Sequence, residues 1–162
     1  MDPRPAAQDW IDRLELAAHP EGGWYREVYR SEMSVSAEDF DLPHRAMTSI
    51  YYLLAEDAFS AFHRLRQDEV FHFYAGRELT IHQITPEGDY RAVTIGPEGP
   101  FQCVIPAGTL FGAALADPAG YALVGCTVAP GFEFSDFSMP TRAELLKIHP
   151  QHRSVIERLT RE

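Results

Sequence analysis

Hydrophobic and polar positions alternate in short runs along most of the chain from residue 24 onward. The runs that this pattern predicts as strands are 24–30, 47–54, 61–66, 70–74, 79–84, 90–95, 102–105, 110–115 and 121–128. Turns rich in Gly and Pro separate many of them, as at 86–89, 96–100 and 117–120. Strands of this length and spacing are typical of an antiparallel sandwich or barrel. The pattern therefore predicts an all-β core over residues 24–137.

Helical periodicity is confined to the two ends of the chain. The apolar residues at helix-face spacing are Trp10, Ile11, Leu14 and Ala17 near the start, and Leu145, Leu146, Ile148, Val155, Ile156 and Leu159 near the end. Thr141 and Glu144 form a capping-box pattern, and Pro150 ends the first C-terminal helix. We therefore expect a helix over 6–18, C-terminal helices over 141–160 and a loose, Pro-rich segment at 1–5.

Length, charge and cysteine usage narrow the class of protein. The chain has 162 residues, of which 45% are hydrophobic, so one domain over 1–162 is expected. Its net charge of −10 repels phosphate backbones and anionic membranes, so no nucleic-acid or membrane partner is expected. The chain shows no long apolar run or signal peptide, and Cys103 and Cys126 form no Cys-x-x-Cys pair. These features predict a cytoplasmic protein without a disulfide.

His63 and Glu69 are the candidate chemical groups. In a hairpin with alternating faces, both side chains point into the same apolar interior, together with Ala61, Leu65 and Phe71. Burying an imidazole and a carboxyl is costly unless they pair, bind a metal or meet a polar ligand. The arrangement therefore indicates either a functional site or a satisfied His–Glu hydrogen bond within the core.

The same residues carry a family resemblance. His63, Glu69 and Gly76 resemble the first motif of the cupin superfamily, in which two histidines and a glutamate commonly hold a metal inside a small β-barrel. The second histidine of that motif falls on Leu65. The second motif is matched by Pro106 and Gly108, but Phe111 stands where its histidine is expected. Two of the four usual ligands are therefore missing.

Further segments resemble one branch of the superfamily, the small single-domain cupins of uncharacterised function. These segments are His19-Pro20-Glu21-Gly22-Gly23, 48–54, Phe62-His63-Arg64, Val128-Ala129-Pro130-Gly131-Phe132 and Ser135-Asp136-Phe137. The resemblance covers nearly the whole chain in order. It implies a double-stranded β-helix, or jelly-roll barrel, with short terminal helices, and it implies a homodimer.

Three functions are compatible with these residues. In the first, the protein is a metal-dependent cupin oxygenase or lyase whose divalent metal is held by His63 and Glu69. Zinc and non-haem iron sites usually need at least three protein ligands, and His72 lies an odd step from Glu69 on the opposite strand face. We therefore expect no cofactor, and we keep a divalent metal as the alternative.

The second function is metal-free acid–base chemistry. A carboxylate beside His63 would orient the ring and make it more basic, as a general base requires. Tyr51, on a strand expected to neighbour that of His63, is the candidate acid, with Ser49 beside it. Among cupin-fold proteins, metal-independent dTDP-sugar epimerases use a His base and a Tyr acid. The resemblance therefore implies epimerisation or isomerisation of a sugar derivative.

The third function is a binding module without turnover. The residues expected to line its pocket are Ser49, Phe62, Phe71, Phe111, Phe132 and Gln102, beside His63 and Glu69. In all three cases the expected partner is a small polar metabolite. We interpret Glu21 and Arg26 as surface ion-pairing residues and Asp136 as a turn cap. The favoured prediction is a small-molecule-binding cupin that acts as a metal-independent isomerase or epimerase.

Overall fold

The computed structural model describes residues 6–162, so the predicted loose segment at 1–5 lies outside the described residues. In chain order, the strands of this part are β1 (Ala17–Ala18), β2 (Trp24–Arg30), β3 (Ser34–Val35), β4 (His44–Arg45), β5 (Thr48–Ala55), β6 (Phe59–Leu65), β7 (Asp68–Gly76), β8 (Leu79–Ile84), β9 (Tyr90–Ile95), β10 (Gln102–Ile105), β11 (Leu110–Leu115), β12 (Tyr121–Ala129) and β13 (Phe137–Ser138). The helices are α1 (Ala7–Leu14), α2 (Arg142–Ile148) and α3 (Arg153–Arg158).

The strand predictions are confirmed, and the bounds differ from prediction by no more than two residues. The helix predicted over 6–18 is too long, because Glu15 adopts a left-handed conformation (φ 54°) and Ala17–Ala18 pair with β2 instead. The capping box predicted at Thr141 is present, and the hydroxyl of Thr141 accepts from the Glu144 backbone N–H.

Two antiparallel sheets form the barrel within residues 6–162. One has the order β1-β2-β5-β12-β7-β10, and the other has the order β13-β6-β11-β8-β9. Alternate side chains of both sheets meet in an apolar interior that includes Leu54, Phe71, Ile81, Phe111 and Val124. This architecture confirms the predicted jelly-roll barrel.

Helices cover the outside of each sheet. α1 packs on the six-stranded sheet over a cluster that contains Leu53 and Leu123. α2 and α3 pack on the five-stranded sheet, where Leu145 and Ile156 bury Phe62. Some strands are therefore apolar on both faces, so their sequences do not show which side chains point into the barrel.

The hairpin predicted for β6 and β7 is not formed. β6 belongs to the five-stranded sheet and β7 to the six-stranded sheet, so residues 66–67 cross from one sheet to the other. His63 and Glu69 therefore enter the interior from different sheets. The two side chains still point into a shared space, although not as neighbours on one hairpin.

Candidate functional site

A cavity of about 360 Å³ is lined by residues of both sheets. The buried residues with polar atoms in its wall are Glu21, Thr48, Tyr52, His63, Glu69 and Cys126, and the half-buried His19 lies beside them. These residues come from the turn before β2 and from β5, β6, β7 and β12. The fold thus collects side chains that are far apart in sequence.

The turn at residues 19–23 delivers the carboxylate of Glu21 to this cavity. Gly22 and Gly23 have φ values of 113° and 78°, a conformation that favours glycine. A Cβ atom on Gly22 would overlap the Phe59 carbonyl oxygen, so the turn lies directly against β6. The Glu21 carbonyl also accepts from the Ala61 N–H at 2.9 Å. The interpretation of Glu21 as a surface residue is therefore wrong, because the turn buries it.

His63 is held as an imidazolium by two acceptors. Its Nδ1 lies 2.8 Å from the Ala61 carbonyl oxygen, which can only accept, so Nδ1 carries a proton. Its Nε2 lies 2.9 Å from Glu21 Oε2. Burial acts to lower the pKa of His63, but the charge and hydrogen bond of Glu21, together with Glu69 and the Ala61 carbonyl, outweigh burial and raise it. Conversely, burial acts to raise the pKa of Glu21, and the charge of His63 brings it below the ordinary value. Both nitrogens therefore donate, and Glu21 stays ionised.

His19 is neutral beside this pair. Its Nδ1 accepts from the Glu21 backbone N–H at 3.1 Å, so Nδ1 carries no proton. Burial lowers the pKa of His19 despite the nearby Glu21 carboxylate. The 3.6 Å separation between His19 Nδ1 and Glu21 Oε1 is therefore a contact and not an ion pair.

Glu69 is a buried carboxyl of the cavity wall with a raised pKa. It is 7% exposed, and its Oε2 has no hydrogen-bond partner among residues 6–162. Burial raises the pKa of Glu69 to about 8, since the lowering by His63 is partly offset by the Glu21 carboxylate. The Cys126 thiol lies beside Glu69 and acts to lower the pKa of that carboxyl, while burial keeps the pKa of the thiol well above its ordinary value. Glu69 is therefore mostly a neutral carboxyl at pH 7.

Aromatic rings enclose His63. The ring centroids of His63 and Phe111 are 4.0 Å apart, and Phe137 stacks on His63 at 5.3 Å. Phe71 meets Phe111 edge-on at 6.1 Å. Phe71 and Phe111 belong to the inner core, so they shape the surroundings of His63 from behind. Phe132 lines the cavity itself.

The structure places Tyr51 and Ser49 outside the cavity. On β5 the lining residues are Thr48, Ile50 and Tyr52, so the odd-numbered residues point away from it. Tyr51 lies in the cluster under α1. The prediction that the strand of Tyr51 neighbours that of His63 is also wrong, because β5 pairs with β2 and β12. Tyr52 is the tyrosine of the cavity, and its hydroxyl donates to the Gly22 carbonyl at 2.5 Å.

Phe62 and Gln102 also lie elsewhere. Phe62 is buried under α2 and α3 on the outer side of its sheet, because it alternates with the inward-facing His63. Gln102 is exposed on β10, opposite His72, while Cys103 and Ile105 of the same strand point inward. The cavity therefore keeps His63, Glu69 and Phe132 from the predicted set, with Phe71 and Phe111 behind them.

The predicted metal ligands do not form a metal site in this geometry. Within the described chain, 6–162, no group of three or more His, Cys, Asp and Glu side chains is arranged to hold a metal ion. A metal would also need an unprotonated nitrogen of His63, but both nitrogens face oxygen acceptors. The donor set of His63 and Glu69 therefore does not fit a divalent metal.

Two antiparallel sheets that enclose a cavity, with a histidine and a glutamate entering from facing strands, define a cupin-type β-barrel. A family model described as "Cupin superfamily (DUF985)" matches residues 8–140. The chain belongs to this family. Among curated proteins, no sequence matches it significantly.

Solved structures agree with this assignment. A hypothetical protein from Leishmania major is 38% identical, with a TM-score of 0.90 over 98% of this chain and 100% of its own. A protein from Shewanella oneidensis is 42% identical, with a TM-score of 0.86 over 97% of this chain and 98% of its own. An oxalate decarboxylase from Bacillus subtilis is 13% identical, with a TM-score of 0.57 over 89% of this chain and 37% of its own. The last similarity concerns the fold alone. No helix of residues 6–162 is long and apolar enough to span a membrane.

Proposed function

We propose that the cavity binds a small polar metabolite, such as a sugar derivative, and that Glu69 moves a proton between two carbon atoms of this metabolite without the help of a metal. The observation that carries this proposal is the state of Glu69. A buried carboxyl with an unpartnered oxygen and a pKa raised to about 8 lines a cavity of about 360 Å³. Such a group can give or take a proton near neutral pH.

The reaction class that one such carboxyl supports is isomerisation. The ionised form of Glu69 removes a proton from a hydroxyl-bearing carbon next to a carbonyl group, and the resulting carboxyl returns that proton to the former carbonyl carbon. A second proton passes from the hydroxyl oxygen to the former carbonyl oxygen, which completes the exchange of the two groups. Epimerisation needs a second acid on the opposite side of the substrate. Tyr52 serves poorly for this, because burial holds its pKa well above the ordinary value and its hydroxyl already donates to Gly22. Isomerisation is therefore the favoured chemistry.

His63 has a positioning role in this proposal. Its two protons are committed to Ala61 and Glu21, so it does not act as the base that the sequence indicated. Its positive charge favours the ionised form of Glu69, which limits how far burial raises the pKa of that carboxyl. The Glu21–His63 pair thus adjusts the acid–base group without touching the substrate.

Deuterium wash-in tests this function. A panel of keto-sugars and their nucleotide derivatives is incubated with the protein in deuterated water and analysed by NMR. We expect incorporation at a carbon next to the carbonyl with at least one compound. We also expect the rate to rise with pH through about 8, the pKa of Glu69. Glu69→Gln should abolish it, and Gln102→Ala, an exposed change on β10, should not.

A ligand-binding module without turnover is the second candidate. It is favoured by the engagement of both His63 nitrogens, which leaves one proton-transfer group instead of two. A compound that raises the melting temperature, is recovered unchanged and shows no deuterium incorporation would support this module over the isomerase. A metal-dependent oxygenase or lyase has no comparable support, because the donor set does not fit a metal.

We propose a homodimer in the cytoplasm as the working form. The exposed apolar residues Tyr74, Phe101 and Val104 lie on the edge strand β10 or on the segments beside it, and a second copy could cover them. Cys103 and Cys126 are free thiols, as a reducing compartment favours. Light scattering tests the assembly: Val104→Asp should give monomers, and a wild-type monomer would contradict the proposal.

A further inference from the structure

The exposed part of the cavity wall has more carboxylates than guanidinium groups. Arg26 pairs with Glu15 at 2.9 Å. Arg30 pairs with Glu27 at 2.8 Å and with Glu133 at 3.1 Å. Two positive groups therefore meet three negative ones, and both guanidinium groups are already occupied. This mouth does not attract an anion.

The buried part of the wall adds no positive charge. Glu21 and His63 cancel each other at a separation of 2.9 Å, and His19 is neutral. Glu69 then presents an oxygen that has no partner within the described residues, and its side chain is more than nine-tenths buried. A ligand with a positively charged hydrogen-bond donor would satisfy this oxygen and offset the net negative charge of the cavity mouth.

Aromatic rings line the same cavity. Tyr25, Phe132, Phe134 and Phe137 all contribute to its wall. Phe132 and Phe134 meet edge to face at 4.9 Å, which turns ring faces in different directions around the opening. Ring faces attract cations, and they do so more strongly where water is excluded. Charge and aromatic lining thus favour the same kind of ligand.

We propose that the ligand of this cavity carries a protonated amine, which donates to the unpartnered oxygen of Glu69 and packs against the aromatic wall. The proposal rests on the proposed function in taking this cavity as the ligand site, and it adds the ligand's charge. With an ammonium group on Glu69 the cavity acts as the binding module, because the ion pair occupies the oxygen that proton transfer would need. When the ammonium group binds, Glu69 releases its proton to the solvent and forms an ion pair. The class named is therefore a small amine-bearing metabolite, such as an amino sugar.

Binding should depend on pH through Glu69. The titratable groups that face it are His63 on β6, Glu21 on the turn before β2, Tyr52 on β5, Cys103 on β10 and Cys126 on β12. The tyrosine and both thiols stay neutral because burial raises their pKa values. Glu21 and His63 are paired. Among these groups Glu69 has the unpartnered oxygen, and its pKa of about 8 makes its carboxylate form increase between pH 6 and pH 8.

Three polyols that differ at one end test the charge. Glucamine carries an ammonium group, sorbitol is neutral and gluconate is an anion. By calorimetry at pH 8 we expect glucamine to bind at least about tenfold more tightly than sorbitol, and gluconate to bind most weakly. The affinity for glucamine should fall roughly 50-fold between pH 8 and pH 6, following the ionised fraction of Glu69. The binding enthalpy should differ between two buffers of different ionisation enthalpy, because the buffer takes up the proton that Glu69 releases.

Glu69→Gln keeps the shape of the side chain and should remove both the preference for glucamine and its pH dependence. Glu133→Gln, at the exposed mouth, should reduce the preference severalfold, and it tests the charge of the site with a variant outside the buried core. Equal affinity for glucamine and sorbitol, tighter binding of gluconate or no binding of glucamine would each overturn the amine assignment. Failure of the proposed isomerase is seen separately, as absence of deuterium incorporation in a compound that binds.

Discussion

The buried Glu21–His63 ion pair allows a sharp test of the structure. The Glu21→Gln variant removes one charge and keeps the side-chain volume. In the wild type, His63 Nε2 and Glu21 Oε2 are 2.9 Å apart, and the side chains are 4% and 9% exposed. Charges about 4 Å apart attract by about 4 kcal/mol at an effective dielectric constant of about 20. Losing one partner of a buried pair typically costs about 3–5 kcal/mol.

We expect the lower end of that range, about 3 kcal/mol, for Glu21→Gln at pH 7. The amide can still hydrogen-bond to a neutral imidazole, which limits the loss. Glu15→Gln is the matched control, because Glu15 and Arg26 are also 2.9 Å apart but their side chains are 76% and 49% exposed. An exposed pair contributes less than about 1 kcal/mol. Urea unfolding followed by tryptophan fluorescence measures both variants.

The pH dependence of this effect has a definite sign. The pKa of Glu21 is lowered from its ordinary value of 4.5, so its contribution is present above 4.5 and is lost as pH falls through the folded pKa. The pKa of His63 is raised from 6.5, so its contribution is present below 6.5 and is lost as pH rises through the folded pKa. The difference between wild type and Glu21→Gln should therefore be largest between these limits.

A double-mutant cycle with His63→Gln completes the test. The coupling between the two positions should be about 2 kcal/mol, because the residues are in direct contact. The reasoning fails if Glu21→Gln is no more destabilising than Glu15→Gln, or if the coupling is close to zero. Either result would mean that the carboxylate does not hold the imidazolium in the folded protein.

Three further predictions concern the same site. Glu69→Gln should raise the free energy of unfolding by a few kcal/mol above pH 8, and by less toward pH 4.5. The reason is that only the wild type must ionise a buried carboxyl whose pKa is raised from 4.5 to about 8. Urea unfolding of both proteins across this pH range measures the difference, and a constant difference would contradict the prediction. Gly22→Ala should destabilise the protein by more than about 2 kcal/mol, because the added Cβ atom would overlap backbone atoms of Phe59. Gly108→Ala is the control, since Gly108 has φ of 80° but no atom closer than 3.8 Å to the added Cβ, and it should lower the stability by about 1 kcal/mol. Thermal unfolding measures both variants. Elemental analysis of untagged protein should find iron, manganese, nickel and zinc well below one per chain, and stoichiometric metal that is lost in His63→Ala would refute the reading of the donor set.

The sequence predicts the barrel well because its signal is local. Strands such as Leu79–Ile84 and Tyr90–Ile95 lie between clear turns, and their bounds agree with the structure. The separation of β6 and β7 into different sheets could not be predicted in this way. A short polar turn between two strands looks the same whether it closes a hairpin or crosses between sheets.

The orientation of β5 shows a second limit. Tyr52, Leu53 and Leu54 are all buried, because the opposite sheet covers one face of the strand and α1 covers the other. Alternation of polar and apolar residues is therefore missing, and a shift of one residue exchanges Tyr51 for Tyr52. No local pattern in this strand distinguishes the two tyrosines.

Glu21 was missed for a different reason. It lies 42 positions before His63, and its turn looks like a simple break between helix and strand. The available signal is the pair of glycines after it, since glycine permits the positive φ values of a tight turn and the close approach of that turn to another strand. A buried imidazole needs an acid partner, and the nearest carboxyl in sequence is not always that partner.

The missing family ligands explain the state of Glu69. Leu65 and Phe111 occupy the two positions where metal-binding cupins are expected to carry histidines, and both are buried near His63. Two polar, metal-binding side chains are thus replaced by apolar ones. Apolar side chains exclude water from this part of the barrel, and burial is the main cause of the raised pKa of Glu69. Apolar side chains at these two positions therefore lack the nitrogen ligands of the family motif and at the same time favour the protonated form of a buried carboxyl.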